Sequence, residues 1–210
     1  MVKPMRIITF SDNMADQNSY LLIDKTEAVL IDPGFNGEKI LQYLKESGSM
    51  LKKVLLTHGH FDHIRDTLFL RKHLDFTIYI HQNDYSFLYD EQKNYAKSFH
   101  SHFLLDRTYE VTKVNEGDQI PFGSSFVTVY HTPGHTAGSA SYGMNKWLAT
   151  GDILFVDSVG RTDLVTGSQK MLYESLRKIK NSFSKETEIL PGHGPKAKLA
   201  EIIKVNPFLN

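Results

Sequence analysis

Five short apolar runs in this chain each end in a tight turn that sets a histidine or an aspartate beside glycine. Residues 28–31 lead into Asp32-Pro33-Gly34, and 54–56 into Thr57-His58-Gly59-His60. Residues 126–130 lead into His131-Thr132-Pro133-Gly134-His135, 147–150 into Gly151-Asp152, and 188–190 into Pro191-Gly192-His193-Gly194. Runs this short and this apolar read as buried strands. Reactive groups in α/β proteins gather on the loops that leave strand ends along one edge. Glycine lets such turns adopt positive φ and bring neighbouring side chains close. The repetition therefore predicts that five turns far apart in the chain converge in space, which demands an α/β fold with its strand ends aligned.

The remaining pattern fills in that fold. Further strand-like runs cover 5–10, 20–24, 77–80 and 139–144. Helical spacing places Ile40, Leu41 and Leu44 on one face, with Asn36 as N-cap and Gly48 as stop. A second helix gathers Met171, Leu172, Leu176 and Ile179 behind Ser168 as N-cap, a third spans 197–205, and a weaker one spans 62–74. No linker or low-complexity tract divides the chain, so residues 1–210 read as one domain. Residues 81–112 are poor in strand signals and rich in Tyr and Phe; they predict either an excursion packed by its own aromatics or a flap over a site.

Composition narrows the chemistry. The chain has no Cys, which excludes disulfides, thiolate zinc sites, iron–sulfur clusters and a Cys nucleophile. Lys plus Arg number 24 and Asp plus Glu 24, so the formal charge is zero and a polyanion finds no basic surplus. Nucleic acid and membrane surfaces are not expected partners. No apolar run approaches a membrane span and residues 1–12 carry no leader-like core, so a cytoplasmic location is expected. The distinctive count is 10 His. Four metal-capable side chains fall in His58-Gly59-His60-Phe61-Asp62-His63. No straight helix or strand puts all four on one face, whereas a strand-to-helix turn aims His58 and His60 at one ion and Asp62 and His63 at a neighbour. Imidazole and carboxylate suit zinc, iron, manganese or nickel.

His58-x-His60-x-Asp62-His63, Thr132-Pro133-Gly134-His135-Thr136, Gly151-Asp152 and Pro191-Gly192-His193-Gly194 together resemble the metallo-β-lactamase-fold hydrolases, over residues 5–208. The resemblance implies a four-layer αββα sandwich with two divalent metal ions at one edge of the sheets, zinc first, with iron or manganese as alternatives. Carried over residue by residue, His58, His60 and His135 hold the first ion, Asp62, His63 and His193 the second, and Asp152 bridges both. Within the family, Gly151-Asp152-Ile153-Leu154-Phe155, Gly160-Arg161-Thr162-Asp163-Leu164 and Asn206-Pro207-Phe208-Leu209 resemble glyoxalase-II-like proteins, without their C-terminal helical region. That branch implies a dinuclear thioester hydrolase acting on S-2-hydroxyacyl-glutathione or another acyl-thiol, with a metal-bridging hydroxide as nucleophile and Asp62 beside it. The alternative in the same fold is a persulfide dioxygenase with one iron on His58, His135 and Asp152. Asp152 and the lack of Cys count against β-lactamase activity.

Other residues carry weaker readings. Asp32 is either a turn residue or, as the family pattern implies, the support of a ligand. Arg161 either grips a substrate carboxylate or pairs with Asp163. His131 is expected to be hydrogen-bonded in the core, and His73, His81, His100 and His102 to pack or face solvent. Tyr142 and Trp147 are expected in the core.

Overall fold

The computed structural model describes residues 5–13 and 15–209. The first four residues of the stretch read for a leader lie outside that set. Strands β1 (Arg6–Ser11), β2 (Asn18–Asp24), β3 (Glu27–Ile31), β4 (Met50–Leu56), β5 (Thr77–His81) and β6 (Val111–Val114) form one six-stranded sheet in chain order. Strands β7 (Gln119–Phe122), β8 (Ser125–His131), β9 (Ala140–Met144), β10 (Trp147–Gly151), β11 (Glu188–Pro191) and β12 (Ala197–Lys198) form the second, in the reverse order. Helices α1 (Gly37–Ser47), α2 (Phe61–Ile64) and α3 (Thr67–Arg71) accompany the first sheet, and α4 (Gln169–Ser182) and α5 (Leu199–Val205) the second.

Successive strand residues point to opposite faces, and here both faces are buried. In β2, Leu21 and Ile23 pack toward the cluster that includes Ile40, Leu41 and Leu44 of α1, while Tyr20 and Leu22 point into a core shared with the second sheet. In β10, Trp147 and Ala149 enter that shared core, with Tyr142 of β9, and Leu148 turns outward onto Leu172, Leu176 and Ile179 of α4. Three apolar layers therefore separate helix, sheet, sheet and helix, which is the αββα sandwich.

The strand directions align the five turns. β3 and β4 run parallel, as do β10 and β11, and β8 shares their sense with β10 because both are antiparallel to β9. The sheets are sewn together at this edge. Asn18 N–H donates to the Gly192 carbonyl at 2.8 Å, the Tyr20 hydroxyl to Pro191 O at 2.7 Å, and Ala140 N–H to Thr57 O at 2.8 Å.

Several local expectations need correction. Asn36 occupies the N-cap position of α1 but makes no capping bond; the Asp66 carboxylate caps the helix instead, accepting from Gly37 N–H at 2.7 Å. The helix expected over 62–74 is two short helices, interrupted where Asp66 turns its N–H to Pro33 O. Residues 197–198 form an edge strand rather than the first turn of α5. Ser168 does cap α4, its hydroxyl accepting from Met171 N–H, and Gly48 ends α1 in the left-handed region at φ +65°. Strands β6 and β7 were not expected; both are four residues long and lie at sheet edges, and Pro121 in β7 is tolerated because an edge strand needs no second ladder.

Candidate metal centre

The turn after β4 is organised by two buried carboxylates. Asp32, at the end of β3, takes a left-handed backbone at φ +50°, which Asp tolerates better than most residues. Its Oδ1 accepts from Thr57 N–H at 2.7 Å and its Oδ2 from the Thr57 hydroxyl at 2.6 Å. The Thr57 hydroxyl oxygen in turn lies 3.1 Å from His58 Nδ1, and Asp32 Oδ2 lies 2.9 Å from His63 Nδ1. One carboxylate thus fixes the Nδ1–H tautomer of two histidines and leaves their Nε2 lone pairs for an ion, an arrangement that metal-ligating histidines commonly require. Asp84, just past β5, does the same for the backbone: it accepts from Gly59 N–H at 3.0 Å, the Thr136 hydroxyl at 2.7 Å and Gly138 N–H at 2.8 Å. It ties the turn that carries His58 and His60 to the turn that carries His135. Burial pushes its pKa up to about 6 against these three donors.

The other donors arrive singly and rest on main-chain carbonyls. His135 Nδ1–H donates to Arg161 O at 2.7 Å, and His193 Nδ1–H donates to Ala15 O at 2.8 Å. Both therefore offer Nε2 to the centre. Asp152 follows Gly151, whose φ of +51° turns the chain at the strand end. Gly192 must be glycine for a steric reason, because a Cβ there would collide with Asp152 Oδ1 and the His63 ring.

The seven side chains converge. His58, His60 and His135 offer ligand atoms within 4.8 Å of one another, and so do Asp62, His63 and His193. Asp152 lies between the groups: Oδ1 is 3.2 Å from His63 Nε2, and Oδ2 is 3.6 Å from both His135 Nε2 and His193 Nε2. The donor set fits cations. The buried His58 Nε2, aimed among the other donors, has no hydrogen-bond partner. Ring nitrogens also face one another, His60 Nδ1 to His135 Nε2 at 2.9 Å and His63 Nε2 to His193 Nε2 at 3.2 Å. Opposed lone pairs at such distances need a proton or a cation between them.

The electrostatics divide the site. Burial, reinforced by neighbouring histidines, holds His58 well below the usual imidazole range and His60 down at about 3, so both are neutral as ligation requires. Burial also opposes protonation of His63, but Asp152 and Asp62 outweigh it and push its pKa well up. His193 is raised for the same reason, through Asp62 and Asp152. Burial opposes ionisation of Asp152, yet His63, His193 and His135 hold it well below the usual carboxylate range.

The remaining expected residues fall as follows. Asp32 is buried and supports ligands rather than reaching the centre. Arg161 forms a two-point pair with Asp163, Nε to Oδ1 at 2.7 Å and Nη2 to Oδ2 at 2.6 Å, and its link to the centre is its carbonyl. His131 stacks on His81 at 4.0 Å and donates from Nε2 to Ala137 O; neither reaches the centre. His73 packs on Phe69, and His102 pairs with Glu91. Residues 81–112 divide: Phe87 and Phe103 are buried, as an excursion packed by its own aromatics requires, whereas Tyr95, Ser98 and Phe99 line the cavity beside the donors. Asp84 and Tyr95 were missed. Asp84 carried one signal, an aspartate just past a predicted strand, but lacked the glycine that marked the other turns.

A fold of this type with seven histidine and aspartate donors at one sheet edge defines a metal-binding hydrolase scaffold. The family model described as the metallo-beta-lactamase superfamily matches residues 14–193, and the chain belongs to that superfamily. It is 36% identical to the probable metallo-hydrolase YqgX of Bacillus subtilis over 92% of each chain, and 32% identical to the hydroxyacylglutathione hydrolase GloC of Haemophilus influenzae over 89% of each. Among solved structures it is similar to the BLEG-1 B3 metallo-beta-lactamase, with TM-score 0.90 and 30% identity over 98% of this chain and 100% of that one. TTHA1623 in a di-iron-bound form gives TM-score 0.84 and 33% identity over 96% of this chain and 100% of that one. Among the described residues, no helix is long and apolar enough to cross a membrane.

Proposed function

We propose that this metallo-hydrolase holds two divalent ions and cleaves a thioester, S-2-hydroxyacyl-glutathione or another acyl-thiol. The observation that carries the dinuclear reading is the place of Asp152, one carboxylate between two complete donor groups. His58, His60 and His135 would hold one ion, Asp62, His63 and His193 the other, with Asp152 shared. The likeness to GloC supports a thioester, and the di-iron form of TTHA1623 supports a pair of ions without fixing their identity.

When bound, two such ions supply a water deprotonated near neutral pH and polarise a carbonyl oxygen. The chain's own residues set the stage for that chemistry. Asp32 fixes His58 and His63, and Asp84 fixes the spacing of the two turns. Asp62 lies on the cavity floor with Oδ2 3.4 Å from His193 Nε2. Burial opposes its ionisation, but His63 and His193 lower its pKa, so it orients an attacking water by accepting a hydrogen bond more readily than it keeps a proton. No protein nucleophile is needed.

The test is metal analysis of purified protein followed by paired assays. Two ions per chain, thioester cleavage without O2 on zinc or manganese, and a large loss in His193→Ala are expected. One iron per chain, with strictly O2-dependent turnover of a persulfide and no thioester cleavage, would replace this reading by the dioxygenase one. A chromogenic cephalosporin belongs in the panel because of the likeness to BLEG-1. Balanced charge further leads us to propose a small-molecule substrate and no nucleic-acid partner.

A further inference from the structure

The cavity above the donors, about 520 Å³, is polar on its floor and apolar on its walls. One apolar wall is Tyr95 and Phe99; Phe155, Val159 and Leu164, from the segment after β10, make another. The walls are joined to each other and to the centre. Val165 N–H donates to the Tyr95 hydroxyl at 2.8 Å, the Tyr95 ring meets the His60 ring edge-on at 5.3 Å, and the Phe155 ring meets His193 at 5.9 Å. Tyr95 is held at φ +62° by its neighbour Asn94, whose side chain donates to Phe87 O and Phe103 O and accepts from Ala96 N–H. The Asn94 carbonyl also accepts from Phe61 N–H at the start of α2, next to His60. The first wall is therefore fixed to the same turn as the donors.

Charge on these walls is cancelled. Among the described residues, Arg161 is the one lysine or arginine lining the cavity, and both carboxylate oxygens of Asp163 engage it. A carboxylate at the far end of the acyl group, away from the metal centre, would lose water against aromatic rings with no unengaged lysine or arginine on the walls to meet it, which is unfavourable. An aromatic or branched acyl group gains from leaving water.

We propose that the cavity selects thioesters whose acyl group is uncharged and apolar, aromatic or branched, and disfavours acyl groups that carry a carboxylate. This inference rests on the thioester reading above. The reaction is hydrolysis: water adds to the carbonyl carbon, the carbon–sulfur bond breaks, and the products are the acyl carboxylic acid and the thiol.

The experiment compares acetyl, isobutyryl, phenylacetyl and succinyl thioesters of one neutral thiol, N-acetylcysteamine, on metal-loaded protein. We expect kcat/KM to rise from acetyl to isobutyryl to phenylacetyl, and succinyl to fall at least about tenfold below phenylacetyl, the scale on which pocket contacts discriminate. Phe99→Ala should erase most of the phenylacetyl advantage through KM with metal content unchanged. Succinyl turned over as well as phenylacetyl would overturn the inference while leaving thioester hydrolysis standing. A second measurement needs no turnover: equilibrium binding of phenylacetohydroxamate and succinohydroxamate, which present the same acyl groups from a metal-anchoring head. Tighter phenylacetohydroxamate binding, lost in Phe99→Ala, supports the apolar cavity even if no thioester is cleaved, an outcome that would sink the thioester reading alone. Equal or tighter binding of succinohydroxamate overturns the inference.

Discussion

The turn after β4 carries four candidate ligands in the six residues 58–63, whereas the second sheet gives one to each of three turns, after β8, β10 and β11. The two halves also hold their histidines differently. In the first half, side-chain carboxylates do the holding: Asp32 orients His58 through Thr57 and His63 directly, and Asp84 pins Gly59. In the second half, His135 and His193 lean on the carbonyls of Arg161 and Ala15. A support made of a side chain can be removed by substitution; a support made of backbone cannot. The first half should therefore be sensitive to changes behind the ligands, and the second sensitive mainly at the ligands themselves.

The largest effect is expected at Asp152, where the halves meet. Asp152→Ala should lower activity by more than the ~10–100-fold typical of losing a partner behind a ligand, and metal analysis should show the paired site gone. Full metal content with full rate would break the assignment. Next comes Asp32→Ala, which should weaken metal binding by about 10–100-fold in a chelator competition. An unchanged affinity would show that the first half does not depend on its carboxylate support.

Asp84→Ala leaves two buried N–H groups, of Gly59 and Gly138, without their acceptor, while the Thr136 hydroxyl keeps Ser139 Oγ. Its cost should be on the order of 3 kcal/mol in denaturant unfolding of metal-free protein, at ~1–3 kcal/mol per unsatisfied group with partial relaxation. A loss under half that would mean that contacts other than Asp84, such as Ala140 N–H to Thr57 O, hold the two turns together.

A smaller and graded effect concerns pH. His63 has its pKa pushed well up by Asp152 and Asp62, with burial opposing, so at neutral pH an incoming ion must displace its proton. Metal affinity should fall as pH falls from 8 to 6, by about tenfold per unit for each proton displaced. The loss should be steeper for the Asp62, His63 and His193 group than for the ion held by His58 and His60, whose rings are already neutral. Identical pH slopes for the two ions would contradict that division.

The smallest effect is at Arg161. Arg161→Ala removes an exposed ion pair but keeps the carbonyl that holds His135, so stability should change by no more than about 0.5 kcal/mol and metal content not at all. A loss of bound metal in Arg161→Ala would erase the contrast between the halves.

Much of this was legible in the chain. Strand periodicity and the Gly-flanked turns marked β3, β4, β8, β10 and β11, and the spacing of His58, His60, Asp62 and His63 marked a strand-to-helix turn, because these are local signals. The short edge strands β6, β7 and β12 were not legible, since an edge strand is defined by its partner more than by its own residues. Asn36 looked like a cap and was displaced by Asp66, a contact across the fold that no local rule anticipates.

The sequence by itself determined which residues could bind cations and that their turns share one edge of an α/β fold, because residue type and strand alternation are properties of neighbours in the chain. The family resemblance already implied Asp152 between two groups of donors; only the tertiary structure decided that Asp84 joins the turns of His60 and His135, and that Tyr95 and Phe99 line an apolar wall beside them. Those relations depend on how two sheets pack through a shared core, and packing joins residues whose separation along the chain leaves no periodic trace.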